Sequence, residues 1–197
     1  MVVDETAIVT WANMVTVTRV LASPFLFLMI PDDGNGSWAA MVVWIVLCAS
    51  DGFDGYLARR HGITRSGAFL DPLADKILVL GAMFTLVSRD VLWVVPVVII
   101  AAREIIVSLY RVFVGSRGVS MPASRLAKVK TFSQQLAVGF ALAPITVNDA
   151  TWTFVTCLWV AVALTILSGL QYAVRAMRGN QSAGDLATPA PGVEGSR

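Results

Sequence analysis

Apolar residues gather in six long runs, over residues 13–30, 37–58, 68–88, 92–114, 127–147 and 152–174. Each is close to the roughly 20 residues that an α-helix needs to cross a 30 Å hydrocarbon layer. Short polar turns separate them, such as PDDGNG at 31–36 and VNDA at 147–150. The pattern predicts an all-α, polytopic membrane protein with six transmembrane helices. Ionisable residues interrupt the second, third and fourth runs, so a bare hydropathy count returns fewer than six. From Gly179 onward the chain reads GNQSAGDLATPAPGVEGSR, with no apolar period. Such a segment buries too little surface to offset the entropy of ordering. Two regions are therefore expected: a six-helix transmembrane domain over 1–178 and a disordered cytoplasmic tail over 179–197. No inverted pair of Gly/Pro-broken spans suggests a secondary transporter.

Composition strengthens the membrane reading. Hydrophobic residues make up 56% of the chain and charged residues 14%, and the mean hydropathy is +0.72. Soluble domains average about 25% charged residues, so a soluble globule is excluded, as is a solvated disordered chain. A net charge of +2 gives no broad basic footprint, which excludes a nucleic-acid binder. The start, MVVDETAIVTWAN, lacks a basic n-region and a small-residue cleavage site, and reads as mature sequence. Cys48 and Cys157 lie inside apolar runs, far from any metal-ligand spacing, and are expected to be buried free thiols.

Lys and Arg set the orientation, because cytoplasmic loops carry the excess. Basic residues follow the second run (RRHGITRS), the fourth (Arg117, Arg125, Lys128, Lys130) and the sixth (Arg175, Arg178). The loops at 31–36 and 147–150 have none, and the turn at Arg89 and Asp90 has one. Both termini are therefore expected on the cytoplasmic side. Trp38, Trp93 and Trp152 stand near span ends, as an interfacial belt would.

Acidic residues inside spans are costly, and are functional candidates for that reason. Four occur close together. Asp51 and Asp54 lie at i, i+3 near the end of the second run, and Asp71 and Asp75 at i, i+4 near the start of the third. Each pair projects from one helix face, and the short basic loop between them makes the helices antiparallel neighbours. Four carboxylates can then converge. They stay ionised together only with cations, and oxygen ligands without His or Cys favour Mg2+ or Mn2+ over zinc. Two such ions can clamp a diphosphate, so phosphoryl-type transfer is the natural chemistry. Gly55, Ala58 and Gly67 leave room for a base or diphosphate near the backbone, or serve helix packing. Arg59 can fork onto a phosphate. Lys76 balances charge within the acidic cluster, His61 is solvated in the basic loop, and Pro72 starts or kinks the third span.

The string DGFDGYLAR at 51–59, seven residues, then GAFLDPLAD at 67–75 resembles the motif of the CDP-alcohol phosphatidyltransferases, D-x2-D-G-x2-A-R-x7or8-G-x3-D-x3-D. All eight fixed positions are present. The resemblance implies a six-helix membrane enzyme, usually a homodimer, in which a pair of metal ions binds the diphosphate of a CDP-linked lipid. By position, Asp51, Asp54, Asp71 and Asp75 are metal ligands, and Asp75 is also the general base. Gly55, Ala58, Arg59 and Gly67 fall to the CDP-lipid, as do Asn13 and Thr16 of the string NMVTVTR at 13–19, which is similar to the family's first-span pattern.

The acceptor is read elsewhere. REIIVSLYR at 103–111 and KVKTFSQ at 128–134 resemble the bacterial members that use sn-glycerol 3-phosphate with CDP-diacylglycerol, in the inner membrane with a cytoplasmic active site. Arg103, Arg111, Lys128 and Lys130, with the two lysines on one side of the fifth helix, would give the acceptor phosphate its cationic partners. Departures exist, such as Thr10 where relatives often have Asn and Ala127 where Gly often precedes KVKT. Members that accept phosphatidylglycerol or inositol phosphate share the same motif and remain alternatives. A divalent-cation transporter explains the acids but not Gly55, Ala58 and Arg59 at their spacings. A structural scaffold leaves four acids without matching bases.

Overall fold

The structure, a computed structural model, describes the backbone of residues 11–61, 67–116 and 125–187, and side chains over 14, 16–50, 73–110, 112–113, 128–171 and 174. Among the described residues the secondary structure is helical throughout. In chain order the helices are α1 (Trp11–Met29), α2 (Trp38–His61), α3 (Gly67–Ser88), α4 (Val94–Ser116), α5 (Arg125–Leu142), α6 (Pro144–Asp149) and α7 (Trp152–Ala187). Six long helices stand where the six apolar runs predict them. One stretch, Trp152–Gln171 in α7, is by itself long and apolar enough to cross a membrane, with a mean hydropathy of 2.1. Thr16–Met29 and Trp38–Ser50 are shorter apolar stretches. The count of six crossings thus does not follow from hydropathy among the described residues, because charges cut into the other helices, as Arg103 and Glu104 cut into α4.

Two boundaries differ from expectation. The run at 127–147 is not one helix but α5 and α6, broken at Ala143. Pro144 has no N–H for the Phe140 carbonyl four residues back, and its ring crowds that carbonyl. The Thr146 hydroxyl donates to the Phe140 oxygen instead. The other difference is at the C-terminal end, where α7 continues nine residues past the boundary set at 178. Its added segment, GNQSAGDLA, has no proline before Pro189, so nothing in it forbids helix geometry.

The core lies between the helices. Leu26, Trp44, Leu78, Met83, Ile100 and Leu142 are each at most 2% exposed. Trp44 of α2 also donates its indole N–H to the Gln135 carbonyl of α5 at 3.1 Å. A Cβ on Gly81 would overlap the Phe27 ring, so α1 and α3 approach as closely as they do because position 81 has no side chain. Helix α1 packs along both α2 and α3, while α5 packs most extensively on α7.

The outer surface is apolar. Leu21, Leu28, Ile106 and Leu109 are between 65% and 83% exposed. Inside, by contrast, Thr16, Arg19, Ser23, Glu104, Lys130, Gln134, Thr165 and Ser168 are all buried. That is the reverse of a water-soluble protein, where large contiguous apolar surface is rare. It also explains a smaller correction: Cys48 and Cys157 are thiols outside any disulfide but are half-buried, because an apolar run in this chain supplies outward faces as well as core.

Three loops meet at one end of the bundle. The Ser37 N–H donates to the Leu142 carbonyl at 2.8 Å. Gly36, at φ +76°, lies so close that a Cβ there would stand 2.8 Å from the same oxygen. A Cβ on Gly34 would stand 3.1 Å from the Arg89 carbonyl. Asp33 accepts from the Asn35 backbone N–H at 3.1 Å and from its side-chain amide at 2.9 Å, which fixes the turn and holds the Asp33 carboxyl below its ordinary range. Arg89, the one basic residue of these loops, is ion-paired with Asp32. Trp38, Trp93 and Trp152 are 56–71% exposed and all stand at this end.

Candidate active site

The predicted acids lie toward the opposite end of the bundle. Helix α2 runs unbroken through Asp51, Asp54, Gly55, Ala58 and Arg59, and α3 runs unbroken from Gly67 through Asp71 and Asp75. Unbroken helix puts Asp51 with Asp54, and Asp71 with Asp75, on one face each. Asp51 comes 13 residues after the start of α2 and Asp75 13 residues before the end of α3. At 1.5 Å per residue both stand about 20 Å from the joined loops, so the pairs share a level in the bundle. Helix α3 already begins at Gly67, so Pro72 lies within it rather than at its start.

Of these acids the structure describes the side chain of Asp75, which is half-buried beside the half-buried Lys76. The side chains of Asp51, Asp54, Arg59 and Asp71, with those of Asn13, Ala58, His61 and Arg111, lie outside the described residues. Among the described residues no three His, Cys, Asp or Glu side chains gather at one point. The donor set at this level, four aspartates with no His or Cys among them, fits a hard divalent cation and not zinc.

Helix α1 contributes a residue that the sequence reading did not single out. Thr16 and Arg19 are 2% and 1% exposed, and Ser23 is fully buried. Arg19 directs Nη2 toward Ser50 Oγ of α2 at 3.5 Å, one residue before Asp51. Arg19 thus lies on the helix that packs against both acid-bearing elements, α2 and α3. A signal was available: residues 16, 19 and 23 form a polar stripe at i, i+3, i+7 on a mostly apolar helix.

A second polar centre joins α4, α5 and α7. One oxygen of Glu104, Oε1, accepts from Arg103 Nη1 at 3.1 Å and from Lys130 Nζ. Arg103 Nη2 donates to Ser168 Oγ at 2.9 Å, and Gly169 leaves space beside the arginine stem. Gln134 donates to Thr165 Oγ1 at 3.4 Å next to this group. Helix α3 packs against both α4 and α5. The centre therefore adjoins the helix that carries Asp75. It holds two cations and one carboxylate, a net positive charge out of water, and an anion would balance it.

The acceptor residues separate. Arg103 and Lys130 come together, joined by Glu104. Lys128 is exposed whereas Lys130 is 3% exposed, so the two lysines do not share a side of α5. Two residues along a helix is 200°, which turns one of them outward.

Residues 9–167 match the family model for CDP-alcohol phosphatidyltransferase. The chain belongs to that family. It is similar to a "Probable phosphatidylglycerophosphate synthase" of Mycobacterium tuberculosis, 38% identical over 173 residues, with 85% of this chain and 81% of the relative covered. A "CDP-diacylglycerol--glycerol-3-phosphate 3-phosphatidyltransferase" of Pseudomonas fluorescens is 40% identical over 172 residues, covering 81% of this chain and 86% of the relative. A relative of the same name from Rickettsia felis is 34% identical over 165 residues, covering 81% and 91%. As a CDP-alcohol phosphatidyltransferase the chain is a transferase of phospholipid biosynthesis. The matched segment runs from before Thr16 and Arg19 on α1 to just past Thr165 on α7, and of the second polar centre leaves out Ser168 and Gly169.

Proposed function

We propose that this chain transfers the phosphatidyl group of CDP-diacylglycerol to sn-glycerol 3-phosphate, giving phosphatidylglycerophosphate and CMP. The observation that carries the reading is similarity along more than four-fifths of the chain to relatives named for that reaction. Asp75 is the general base. Its carboxylate takes the proton of the acceptor hydroxyl, the oxygen attacks the phosphorus bearing the lipid, and CMP leaves. Asp51, Asp54, Asp71 and Asp75 would hold two Mg2+ or Mn2+ ions, whose charge would neutralise the diphosphate. Asn13, Thr16, Gly55, Ala58, Arg59 and Gly67 receive the CDP-lipid. Arg103 and Lys130 bind the acceptor phosphate, with Arg111 two turns further along α4. Lys128, on the outward side of α5, is left out of this set.

The same reading sets the chain in a bacterial inner membrane. The apolar exterior and polar interior support embedding, with α1, α2, α3, α4, α5 together with α6, and α7 as six crossings. The loop end lies outside, where its single basic residue is matched by Asp32, and the acids face the cytoplasm. A homodimer follows from the family resemblance.

The test is CMP release by detergent-purified protein given CDP-diacylglycerol and Mg2+, with glycerol 3-phosphate, inositol phosphate and phosphatidylglycerol offered in parallel. Turnover with glycerol 3-phosphate alone is expected, and chelation should abolish it until Mg2+ or Mn2+ is restored. Turnover only with another acceptor would keep the acids and discard the acceptor assignment.

A further inference from the structure

Glu104 is the unexpected member of the cationic centre. It is 8% exposed on α4, and a carboxylate beside a site for a phosphate would ordinarily repel the ligand. Its geometry resolves the conflict. Both Arg103 and Lys130 donate to the same oxygen, Oε1, so a single atom gathers two cations from different helices. The second terminal nitrogen of Arg103, Nη2, donates to Ser168 on α7. Lys130 has three N–H donors on a flexible stem, and its described hydrogen bond is the one to Glu104. Without that acceptor nothing described in the bundle orients the ammonium group.

We propose that Glu104 is a positioning residue for the acceptor site, gathering Lys130 and Arg103 so that the lysine's other donors converge on one anion. The proposal rests on the reading of Arg103 and Lys130 as the acceptor-phosphate partners. Glu104 contacts neither substrate, and acts through Lys130. The alternative, in which its charge simply opposes the ligand, has the opposite sign: removing that charge would tighten anion binding.

The experiment uses the full chain in detergent, with Glu104→Gln, Lys130→Met and the double variant. Glu104→Gln preserves shape and one acceptor oxygen while removing the charge. The KM for glycerol 3-phosphate should rise about tenfold, the scale of one misplaced buried hydrogen bond, with the KM for CDP-diacylglycerol changed less than twofold. In the Lys130→Met background, Glu104→Gln should add nothing to that KM, because the residue through which it acts is gone. A lowered or unchanged acceptor KM in Glu104→Gln, or equal changes for both substrates, overturns the proposal, as does full additivity in the double variant. Glu104→Asp keeps the charge and should recover part of the acceptor KM; a KM as high as that of Glu104→Gln overturns the role.

A binding measurement separates this from failure of the reaction assignment. Inorganic phosphate should raise the thermal unfolding midpoint of the unsubstituted protein, and Glu104→Gln should need about tenfold more phosphate for the same rise, whichever acceptor supports turnover. Equal protection of both overturns the positioning role even if glycerol 3-phosphate proves to be the acceptor.

Discussion

The two ends of the bundle are built from different interactions. At the loop end, closure comes from the backbone: the Ser37 N–H on the Leu142 carbonyl, glycines where a Cβ would collide, and an arginine paired with an aspartate at the surface. Toward the other end the same helices turn polar groups inward, with Arg19 against Ser50 and Lys130 against Glu104. Burying such groups costs free energy unless they are paired or bind a ligand. The loop end carries less of that cost, with Thr146 bonded to backbone carbonyls and the Arg89 Nε its described buried polar atom without a hydrogen bond, so the difference teaches which end is built for stability and which for chemistry. Substitutions at the loop end should change stability and leave kinetics alone, while substitutions at the polar end should do the reverse or both.

The largest effect is expected at Asp75. Asp75→Asn removes the base without changing size, and turnover should fall by about 10^3-fold, within the range for general-base catalysis. Some metal and CDP-lipid binding should remain, because three of the four carboxylates are kept, and it is measured by protection from thermal unfolding. Near-normal turnover in this variant would remove Asp75 from its role. Next comes Lys130→Met, which leaves Glu104 buried with one cation instead of two. A broken buried pair costs about 3 kcal/mol, so the midpoint should drop, and the KM for glycerol 3-phosphate should rise more than that for the lipid. Lys128→Met is the control, with both quantities nearly unchanged. If Lys128→Met and Lys130→Met behave alike, the two sides of α5 are not functionally distinct.

Most of this architecture was legible in the chain. The six apolar runs locate six long helices because length and composition act locally, and the acids fall on continuous helix because nothing between Ser50 and His61 breaks one. Three features escaped for physical reasons. Ala143 and Pro144 sit in an apolar stretch, so the break between α5 and α6 was hidden inside a run that hydropathy reads as unbroken. Lys128 and Lys130 were read as a pair from adjacency, although helix geometry alone sets them on opposite sides. Glu104 stands next to Arg103 in the chain, yet its partner Lys130 is 26 residues away on another helix. A tertiary contact of that kind has no local signature. Arg19 lies between these cases, since its stripe with Thr16 and Ser23 was visible while its approach to Ser50 was not.

Smaller effects belong to the loop end. Gly36 has φ +76°, a left-handed conformation that costs an L-residue about 1–2 kcal/mol. A Cβ there would also press on backbone, at 2.8 Å from the Leu142 carbonyl and 3.0 Å from the Pro144 nitrogen. Neither atom can yield without moving the α5–α6 junction. Gly36→Ala should therefore destabilise by about 2 kcal/mol or more, read as a lower unfolding midpoint, with the KM for both substrates unchanged. A shifted acceptor KM would mean that the ends communicate along α5 toward Lys130.

The smallest effect is expected at Asp32, whose pairing with Arg89 joins the first loop to the α3–α4 turn. The Asp32 side chain is 83% exposed and Arg89 29%. Exposed ion pairs are worth less than about 1 kcal/mol, because water solvates the separated charges nearly as well and ordering long side chains costs entropy. Gly34 still holds the same two segments together through its close approach to the Arg89 carbonyl. Asp32→Ala should thus lower the unfolding midpoint only slightly and leave turnover intact. Its second consequence concerns orientation. Removing Asp32 leaves every Lys and Arg in place, and acidic residues contribute little to the asymmetry that sets the topology. One charge against the basic loops at the opposite end is too little to invert the chain, so a reporter fused to the C-terminus should stay cytoplasmic. An exterior reporter in the unsubstituted protein would overturn the assignment of the two ends.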